Sequence, residues 1–567
     1  MAAGQRSEVR DQRSEHPHLP SPISHLLLFI FVCLVGQSSS ACADVINAAS
    51  VALADVQSAI NSSVDGDTIA IPAGTVSWTS GITITKSITI QGKTTVDATA
   101  GTANDQTVVL DDLAANNIPA VAMNPTPGKL VRVTGITFKP GSRNTSLNGG
   151  VVNVGGTTQS AAVRLDHCHF IGMHRNQSVF VNSAVYGVID HNLFEHPSIY
   201  SESILVRMRN WNGDTNLAGD KSFADYPWFG TEKFIFIEDN YFRNTSAQPI
   251  NGTIDADYGA RMVVRHNHCY DVQVQNHGTE HRYRGTRAAE IYNNDFHFLH
   301  PATALGGVRT GVYLYHDNTF DGQPLNGALS FSYLRFNFNF DPGIATSLHG
   351  ATGDEPWDVN ATESDGTHID GHPPYLFASG TCAAGSSRTQ IVDSGSPGWT
   401  TNQWAGYTAK RVSDNQISLI AGNTSNTVTV LYVTGGYGST PTWTAGDSYQ
   451  IHKTLIAIDQ PGRGKGDLLI GGYNQPPPTL NSATGTAAWP HQALEPCYAW
   501  NNKYNCATEM DFYLPPSLLP AAQTFLQEGR DFYNNSSSCA VVAKYTAALN
   551  GADYTGTYAY PHPLVIQ

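Results

Sequence analysis

Charged residues are scarce in this chain, and acidic residues outnumber basic ones. Charged side chains make up 14% of the residues, whereas an average soluble protein has about 25%. The 32 basic residues face 47 acidic ones, and the formal net charge is −15 at pH 7. Binding to nucleic acid needs clustered lysine and arginine, so this balance argues against a nucleic-acid partner. A polyanionic ligand would need a local basic patch or bound metal ions.

Long apolar runs are also missing. The run Leu26–Val35 is too short for a transmembrane helix, which needs about 20 residues, but it matches the apolar region of an export signal. Ala41-Cys42-Ala43 fits the cleavage pattern of small residues. We therefore predict a signal peptide at 1–43, cleavage near Ala43 and a secreted, extracellular or periplasmic protein without a membrane span. Lipid attachment at Cys42 is the disfavoured alternative, since Ser39 stands where an aliphatic residue is expected.

Paired cysteine motifs do not occur. The six cysteines after Ala43 include no Cys-x-x-Cys spacing, which argues against a zinc site. Export permits disulfides, and Cys497 and Cys506, which flank Trp500-Asn501-Asn502, are the best candidate pair. Cys168 and Cys269 are as well interpreted as buried free thiols.

What the sequence does contain is a repeat. Strands of alternating apolar residues end in a polar-Asn-x-aromatic tag, as in Ile189-Asp-His-Asn-Leu-Phe194 and Ile237-Glu-Asp-Asn-Tyr-Phe242. The central tag positions are 168, 192, 240, 267, 294, 318 and 337, so successive positions differ by 24, 48, 27, 27, 24 and 19. We interpret the step of 48 as two coils of 24. A period in the twenties with short strands predicts an all-β parallel β-helix, because stacked coils pair every strand and close a shared core.

The segments before and after the repeat predict how the rest of the chain is organised. Val51–Asn61 is apolar at helical spacing and is expected to form an N-terminal helix that caps the open strand edges of the first coils. The β-helix with this cap is assigned to 44–379. Short strands rich in Trp, Thr and Gly at 380–453 predict a small inserted β-domain, either a carbohydrate-binding module or a structural insertion. Residues 454–567 are assigned to the final coils and a C-terminal cap.

Three stretches of the sequence resemble the pectate-lyase-like superfamily, whose members are right-handed parallel β-helices. They are Asp55-Val-Gln-Ser-Ala-Ile60, the Gly-Asp-Thr-Ile-x-Ile-Pro-x-Gly strand at 66–74, and the repeated Asp-His-Asn-x-Phe tags. The resemblance covers about Asp44 to Pro342. It implies the fold more specifically than the activity, since the superfamily contains lyases, glycoside hydrolases, epimerases and phage tailspikes.

The densest group of charged residues runs from Ile254 to Glu290. It contains Asp255, Asp257 and Arg261, followed by His277, Glu280, Arg282, Arg284 and Arg287. The interval from Asp257 to Arg284 equals the coil step from position 240 to position 267, so these two residues are expected to be lateral neighbours. The resemblance to pectate lyases implies calcium on Asp255 and Asp257 and an arginine base, for which Arg284 is the first candidate and Arg282 the second.

The remaining site residues follow from the same interpretation. His277 and Glu280 are further catalytic candidates, and Arg261 and Arg287 are expected to bind the substrate. Trp211 and Trp228 lie in a long loop between coils and are candidates for stacking on sugar rings. The chemistry implied is β-elimination from a uronate-containing polysaccharide, with calcium and arginine neutralising the carboxylate.

Three alternatives remain open. Asp255, Asp257 and Glu280 supply enough carboxylates for a glycoside hydrolase. A non-catalytic carbohydrate-binding surface protein or adhesin would use the same fold without chemistry. The arginines could also form structural ion pairs with Asp257, Glu280 and Glu290. In each case a monomer is expected, with a polysaccharide as its partner.

Overall fold

Alternation along short strands determines the architecture. In Ile82–Ile84 and Val152–Val154 the first and third residues are buried, whereas the middle residue is more exposed, so one face of each strand packs inwards. The computed structural model describes residues 43–566 apart from 144, 157–158, 197–201, 215–218, 246–253, 277–283, 301–304, 324–328, 332–375, 415, 432–440, 453–460, 465–492, 515–525 and 536–555. Within these residues, three long sheets of parallel strands enclose one apolar core.

The strands are as follows, in the order in which they pair. Sheet A contains Val45–Asn47, Thr68–Ala70, Thr89–Gln91, Val131–Thr134, Ser160–Asp166, Val185–Asp190, Ile235–Glu238, Arg261–Arg265, Ala288–Tyr292, Val312–His316, Cys497–Trp500 and Phe532–Tyr533. Sheet B contains Gly74–Trp78, Thr107–Asp111, Thr137–Pro140, His169–Ile171, Leu193–His196, Tyr241–Asn244, His268–Tyr270, Asp295–Phe298, Thr319–Gly322, Lys503–Tyr504 and Thr508–Glu509. Sheet C contains Ile82–Ile84, Val121–Met123, Val152–Val154, Gln177–Asn182, Glu202–Arg207 and Ile254–Asp257.

Smaller elements complete the chain. A parallel group contains Gly306–Val308, Leu329–Phe331 and Phe512–Tyr513, and two short pairs join Thr95–Asp97 to Thr102–Asn104 and Arg463–Gly464 to Ala493–Leu494. The helices are Leu53–Ser62 and Asp220–Ala224, with a 3₁₀ turn at Trp211–Gly213. An antiparallel sheet contains Leu376–Thr381, Ser448–His452, Thr408–Arg411, Ile417–Asn423, Thr427–Val430 and Gln390–Val392.

Each coil passes from sheet C to sheet A to sheet B, and identical positions stack on one another. Phe170 lies on Phe194 at a ring-centroid distance of 4.7 Å, and Phe194 lies on Phe242 at 4.8 Å. Sequential strands that cross over to parallel neighbours take the right-handed path in almost all proteins. The prediction of an all-β, right-handed parallel β-helix is confirmed.

The helix Leu53–Ser62 confirms the predicted N-terminal cap. It buries Val56, Ala59 and Ile60 in the same core as the coils. Trp78 in the first strand of sheet B is fully buried, and its indole Nε1 donates a hydrogen bond to the carbonyl of Val51 at 3.0 Å. The helix therefore covers apolar side chains at the end of the stack, where no further coil could pair.

A ladder of buried asparagines forms the corner between sheets A and B. Each side chain donates from Nδ2 to a backbone carbonyl of the preceding coil and, except for Asn502 at the end, to the next asparagine's Oδ1. Asn502 donates to Asp511 instead. The ladder contains Asn192, Asn240, Asn267, Asn294, Asn318 and Asn502. The residue before each asparagine has a positive φ of 53–55°, for example His191, Asp239 and Asn293. His, Asp and Asn tolerate this left-handed conformation better than other side chains.

The ladder corrects two sequence-based interpretations of coil length. Asn192 and Asn240 are 48 residues apart and bond directly to each other, so this step is one coil with a long loop, not two coils. Asn318 bonds to Asn502, 184 residues away. The tag at 337 is therefore not the next position of the ladder, and residue 337 itself lies outside the described residues. Within 454–567, Cys497–Trp500 and Phe532–Tyr533 are the last two strands of sheet A.

Cysteines in the described part of the chain are all free. Cys497 is buried and Cys506 is exposed, and they are not bonded to each other, so the proposed disulfide is wrong. Cys168 and Cys269 are buried thiols, and burial raises the pKa of both. No helix within the described residues is long and apolar enough to cross a membrane.

The antiparallel sheet has its own core and closely spaced ends. Trp404, Trp443 and Tyr449 pack together in it, and its first and last strands pair side by side, with Leu376 opposite His452. We expect that replacing 376–452 with two glycines leaves a soluble β-helix, because such insertions join a fold at adjacent points. The check is purification of the deletion variant with circular dichroism and thermal unfolding. Loss of soluble protein would show that the segment supports the coils.

Candidate active site on the outer face of sheet C

The crowded segment predicted from the sequence begins with Ile254–Asp257, the last strand of sheet C. In Ile254–Asp257 the side chains of Ile254 and Ala256 belong to the core, so Asp255 and Asp257 are on the opposite face of the strand. The backbone N–H of Tyr258 donates to the carbonyl of Arg284 at 2.8 Å. The coil step therefore places these two backbone segments side by side, as the sequence indicated.

Asp257 forms an ion pair with an arginine of the preceding coil. Arg207 is opposite Asp257 in the sheet, and its Nε and Nη2 donate to the two carboxylate oxygens at 2.6 and 2.8 Å. Burial of Arg207 lowers its pKa, but the charge of Asp257 outweighs this and raises the pKa overall. Asp255 accepts a hydrogen bond from Gln275 Nε2 at 3.2 Å.

Two further side chains complete a cationic cluster here, which we call the Arg–Tyr cluster (Arg207, Arg209, Asp257 and Tyr258). The guanidinium carbon of Arg207 lies 4.2 Å from the ring centre of Tyr258, and that of Arg209 lies 4.5 Å from it. Tyr258 is 5% exposed, whereas the Arg207 side chain retains 22% exposure, so the cluster reaches solvent through Arg207. Tyr258 has a φ of 54°, which turns the chain sharply after the strand.

Arg207, Arg209 and Tyr258 were not among the site residues predicted from the sequence. The signal was the long step between Asn192 and Asn240, which are consecutive positions of the ladder. Taken as one coil, this step places Arg207 directly beside Asp257. If the step is taken as two coils, a further coil would stand between Arg207 and Asp257, which the structure pairs directly.

Three of the arginines selected from the sequence, Arg261, Arg284 and Arg287, are buried beneath the long loop that contains Trp211–Gly213 and Asp220–Ala224. Arg261 donates to the backbone carbonyls of Ser222, Tyr226 and Pro227 at 2.6–2.7 Å. Burial and the nearby charge of Arg287 lower the pKa of Arg261 to about 9. These contacts make Arg261 a residue that holds the loop on the coil rather than one that faces a substrate.

Arg284 and Arg287 lie beside Arg261 under the same loop. Both are fully buried. The guanidinium carbon of Arg284 is 4.3 Å from the ring centre of Phe223, and Arg287 pairs with Glu495 at 2.6 Å and donates to the carbonyl of Asp225. The interpretation as structural contacts is therefore the better one for Arg287, although its acidic partner is Glu495 instead of Glu280 or Glu290.

The tryptophans of the loop differ in exposure. Trp211 is fully buried, its ring stacks against Arg261 at 4.0 Å and its Nε1 donates to Asp225 at 2.9 Å. Because its ring has no accessible face, Trp211 does not fit the predicted role of stacking on a sugar. Trp228 is partly buried, and the ammonium of Lys233 lies 3.4 Å from its ring centre. The other three candidates, His277, Glu280 and Arg282, lie outside the described residues.

The described residues do not form a calcium site. No group of three or more metal-ligating His, Cys, Asp or Glu side chains occurs among them. Calcium prefers six to eight oxygen ligands, whereas both oxygens of Asp257 are already bonded to Arg207. The calcium requirement stays a prediction, and the chemistry proposed below has no step through a metal ion.

Comparisons with known proteins found no sequence match and only low-scoring structural similarities. No family model matches the chain, and no curated protein matches it. Similar solved structures include the PL6-family alginate lyase AlyGC, in a point-mutant form, at 15% identity over 50% of this chain and 40% of that chain, with a TM-score of 0.28. An alginate lyase from Paenibacillus sp. str. FPU-7 is 15% identical over 50% of this chain and 97% of that chain, with a TM-score of 0.23.

The match with AlyGC spans two fifths of that chain's length, and scores this low carry no argument about chemistry. The class of the protein instead follows from its sheets. It is a right-handed parallel β-helix protein, as the resemblance to the pectate-lyase-like superfamily implied.

Proposed function

We propose that the protein is a secreted polysaccharide lyase that cleaves a uronate-containing polymer at the Arg–Tyr cluster. The observation that carries the proposal is a phenol ring in contact with two guanidinium groups on the outer face of sheet C. β-Elimination requires a group that accepts the C5 proton and positive charge that stabilises the resulting enolate. Tyr258 supplies the first, and Arg207 and Arg209 supply the second.

In this reaction Arg207 and Arg209 bind the carboxylate of the uronate. Tyr258, as phenolate, takes the proton from C5, and the electrons of that C–H bond form the C4–C5 double bond. The bond between C4 and the glycosidic oxygen breaks, and the departing oxygen takes the proton from the Tyr258 phenol, which regenerates the phenolate. Asp257 is a positioning residue, because its bidentate pair fixes the guanidinium plane of Arg207.

The local charge supports an acidic substrate in spite of the acidic chain. Arg207 and Arg209 both contact the Tyr258 ring, whereas the nearby carboxylates are already engaged, Asp257 by Arg207 and Asp255 by Gln275. Such a patch concentrates positive potential where an anionic sugar must bind. The N-terminal apolar run and its cleavage pattern support export, which matches a substrate outside the cell.

The test is incubation of the mature protein, beginning at Asp44, with alginate, polygalacturonate and neutral polysaccharides. We expect one acidic polymer to yield products with the ultraviolet absorbance of an unsaturated uronate. A parallel reaction with chelator determines whether calcium is needed. New reducing ends without this absorbance would identify a hydrolase, and no cleavage of any polymer would support a binding protein. Either result contradicts the proposal.

A further inference from the structure

Sheet B carries a groove, whereas the Arg–Tyr cluster lies at the end of sheet C. It is an open cavity of about 660 Å³ on the outer face of sheet B. Three consecutive coils contribute to it, through His268–Tyr270, Asp295–Phe298 and Thr319–Gly322, and Asn505 and Cys506 close one side. None of these residues was a site candidate in the sequence.

The register of sheet B arranges the polar side chains in two rows. His268, Asp295 and Thr319 are directly opposite one another, and so are Tyr270, His297 and Asp321. The inward row between them contains Phe296 and Phe320, whose rings stack at 5.2 Å. Because alternate residues point to opposite faces, both polar rows point outwards on one surface.

Each carboxylate of the groove is supported by an imidazole. His268 Nδ1 lies 3.4 Å from Asp295, and this contact raises the pKa of His268 and lowers that of Asp295. His297 Nδ1 also contacts the carboxylate of Asp321. The Asp295 and Asp321 side chains are still 63% and 59% exposed, so both retain oxygen lone pairs that face solvent.

An aromatic face borders these carboxylates. Tyr270 stacks on Tyr241 at 5.0 Å with nearly parallel rings, and His297 lies 5.2 Å from Tyr270. The hairpin with strands Thr95–Asp97 and Thr102–Asn104 packs on Tyr241 through apolar side chains. Tyr270 is therefore the end of a supported aromatic strip that lines the groove.

We propose that this groove is a binding site for neutral sugar units of a polysaccharide, distinct from the Arg–Tyr cluster. Sugar hydroxyls donate hydrogen bonds, and an ionised carboxylate only accepts them. Tyr270 is partly exposed in the groove, and the C–H groups of a sugar ring can pack on the part of its ring that Tyr241 and His297 leave uncovered. The groove thus presents acceptors beside an aromatic surface, which is the combination that a neutral sugar needs.

The charges around the groove favour a neutral ligand over an acidic one. Among the described residues nearby, Arg243 pairs with Glu195 and Lys503 pairs with Glu509. The two aspartates would repel a uronate carboxylate. Burying two negative charges next to each other would also cost desolvation free energy. A metal ion is a poorer fit, because the described residues contain no group of three ligands.

The experiment measures binding of the full mature protein to soluble galactomannan and xyloglucan, by affinity electrophoresis and calorimetry. Alginate and polygalacturonate are the acidic comparison polymers. We expect the wild type to bind at least one neutral polymer and Tyr270→Ala to weaken that binding about tenfold or more, which equals about 1.4 kcal/mol. Asp321→Asn, at an exposed position, should weaken it as well without affecting the fold.

Tyr560→Ala is the matched control, since Tyr560 is an exposed tyrosine whose contacts, Asp239, Arg265 and His266, do not line the groove. It should bind like the wild type. Cleavage of an acidic polymer should be unchanged in Tyr270→Ala and Asp321→Asn, which separates this proposal from the proposed lyase function. The proposal fails if no neutral polymer binds, or if binding to it survives both substitutions in folded protein.

Discussion

Tyr258→Phe is expected to lower kcat on the cleaved polymer by about 10²–10⁴-fold, the usual contribution of a positioned acid–base group. The substitution removes one oxygen atom and retains the ring that contacts Arg207 and Arg209. KM should change little, because both arginines remain to bind the carboxylate. The measurement is the initial rate of unsaturated-product formation across substrate concentrations, with the melting temperature recorded in parallel.

Tyr407→Phe provides the matched control. Tyr407 lies in the antiparallel sheet region and packs on Trp404 at 5.3 Å, so the same chemical change there should leave kcat unaltered. If Tyr258→Phe keeps the wild-type rate, the base is a different residue. The segment 277–283, with His277, Glu280 and Arg282, would then be the next place for substitutions.

Asn267→Ala is expected to reduce the free energy of unfolding by about 3–5 kcal/mol, since breaking a buried hydrogen-bond network is among the most damaging single changes. The Nδ2 group of Asn267 donates to the carbonyls of Ile237 and Arg265 and to Asn294 Oδ1. Its own Oδ1 accepts from the backbone N–H and the Nδ2 of Asn240. Alanine would leave these buried groups without their partners.

Urea unfolding, followed by circular dichroism, measures this loss. Asn61→Ala is the matched control, because Asn61 is exposed on the N-terminal helix and accepts from Gln57 only at the surface. The control should change stability by less than about 0.5 kcal/mol. A similarly small effect for Asn267→Ala would mean that water or neighbouring groups replace the ladder bonds, and that the ladder contributes little to stability.

The strands and corners of the coils could be predicted from the sequence, but the lengths of the coils could not. The coils could be predicted because their signals are local. A residue that tolerates a positive φ precedes each buried asparagine, and an alternating strand precedes both, so His191-Asn192 or Asp239-Asn240 marks a corner wherever it occurs. The distance along the chain between two corners carries no such signal, because lengthening a loop costs little free energy. The long steps from Asn192 to Asn240 and from Asn318 to Asn502 could therefore not be predicted from a constant period.

The site shows the same division at the level of single side chains. From the sequence alone came the β-helix, its capping helix, the crowded segment at 254–290 and the proximity of residues 257 and 284. Only the tertiary structure decided that a loop from the preceding coil buries Arg261, Arg284 and Arg287, while Arg207 remains partly exposed beside Asp257. Coil spacing determines which backbones are neighbours, because parallel strands pair in register. Exposure depends on what packs over that surface from distant parts of the chain, and no local pattern of residues records it.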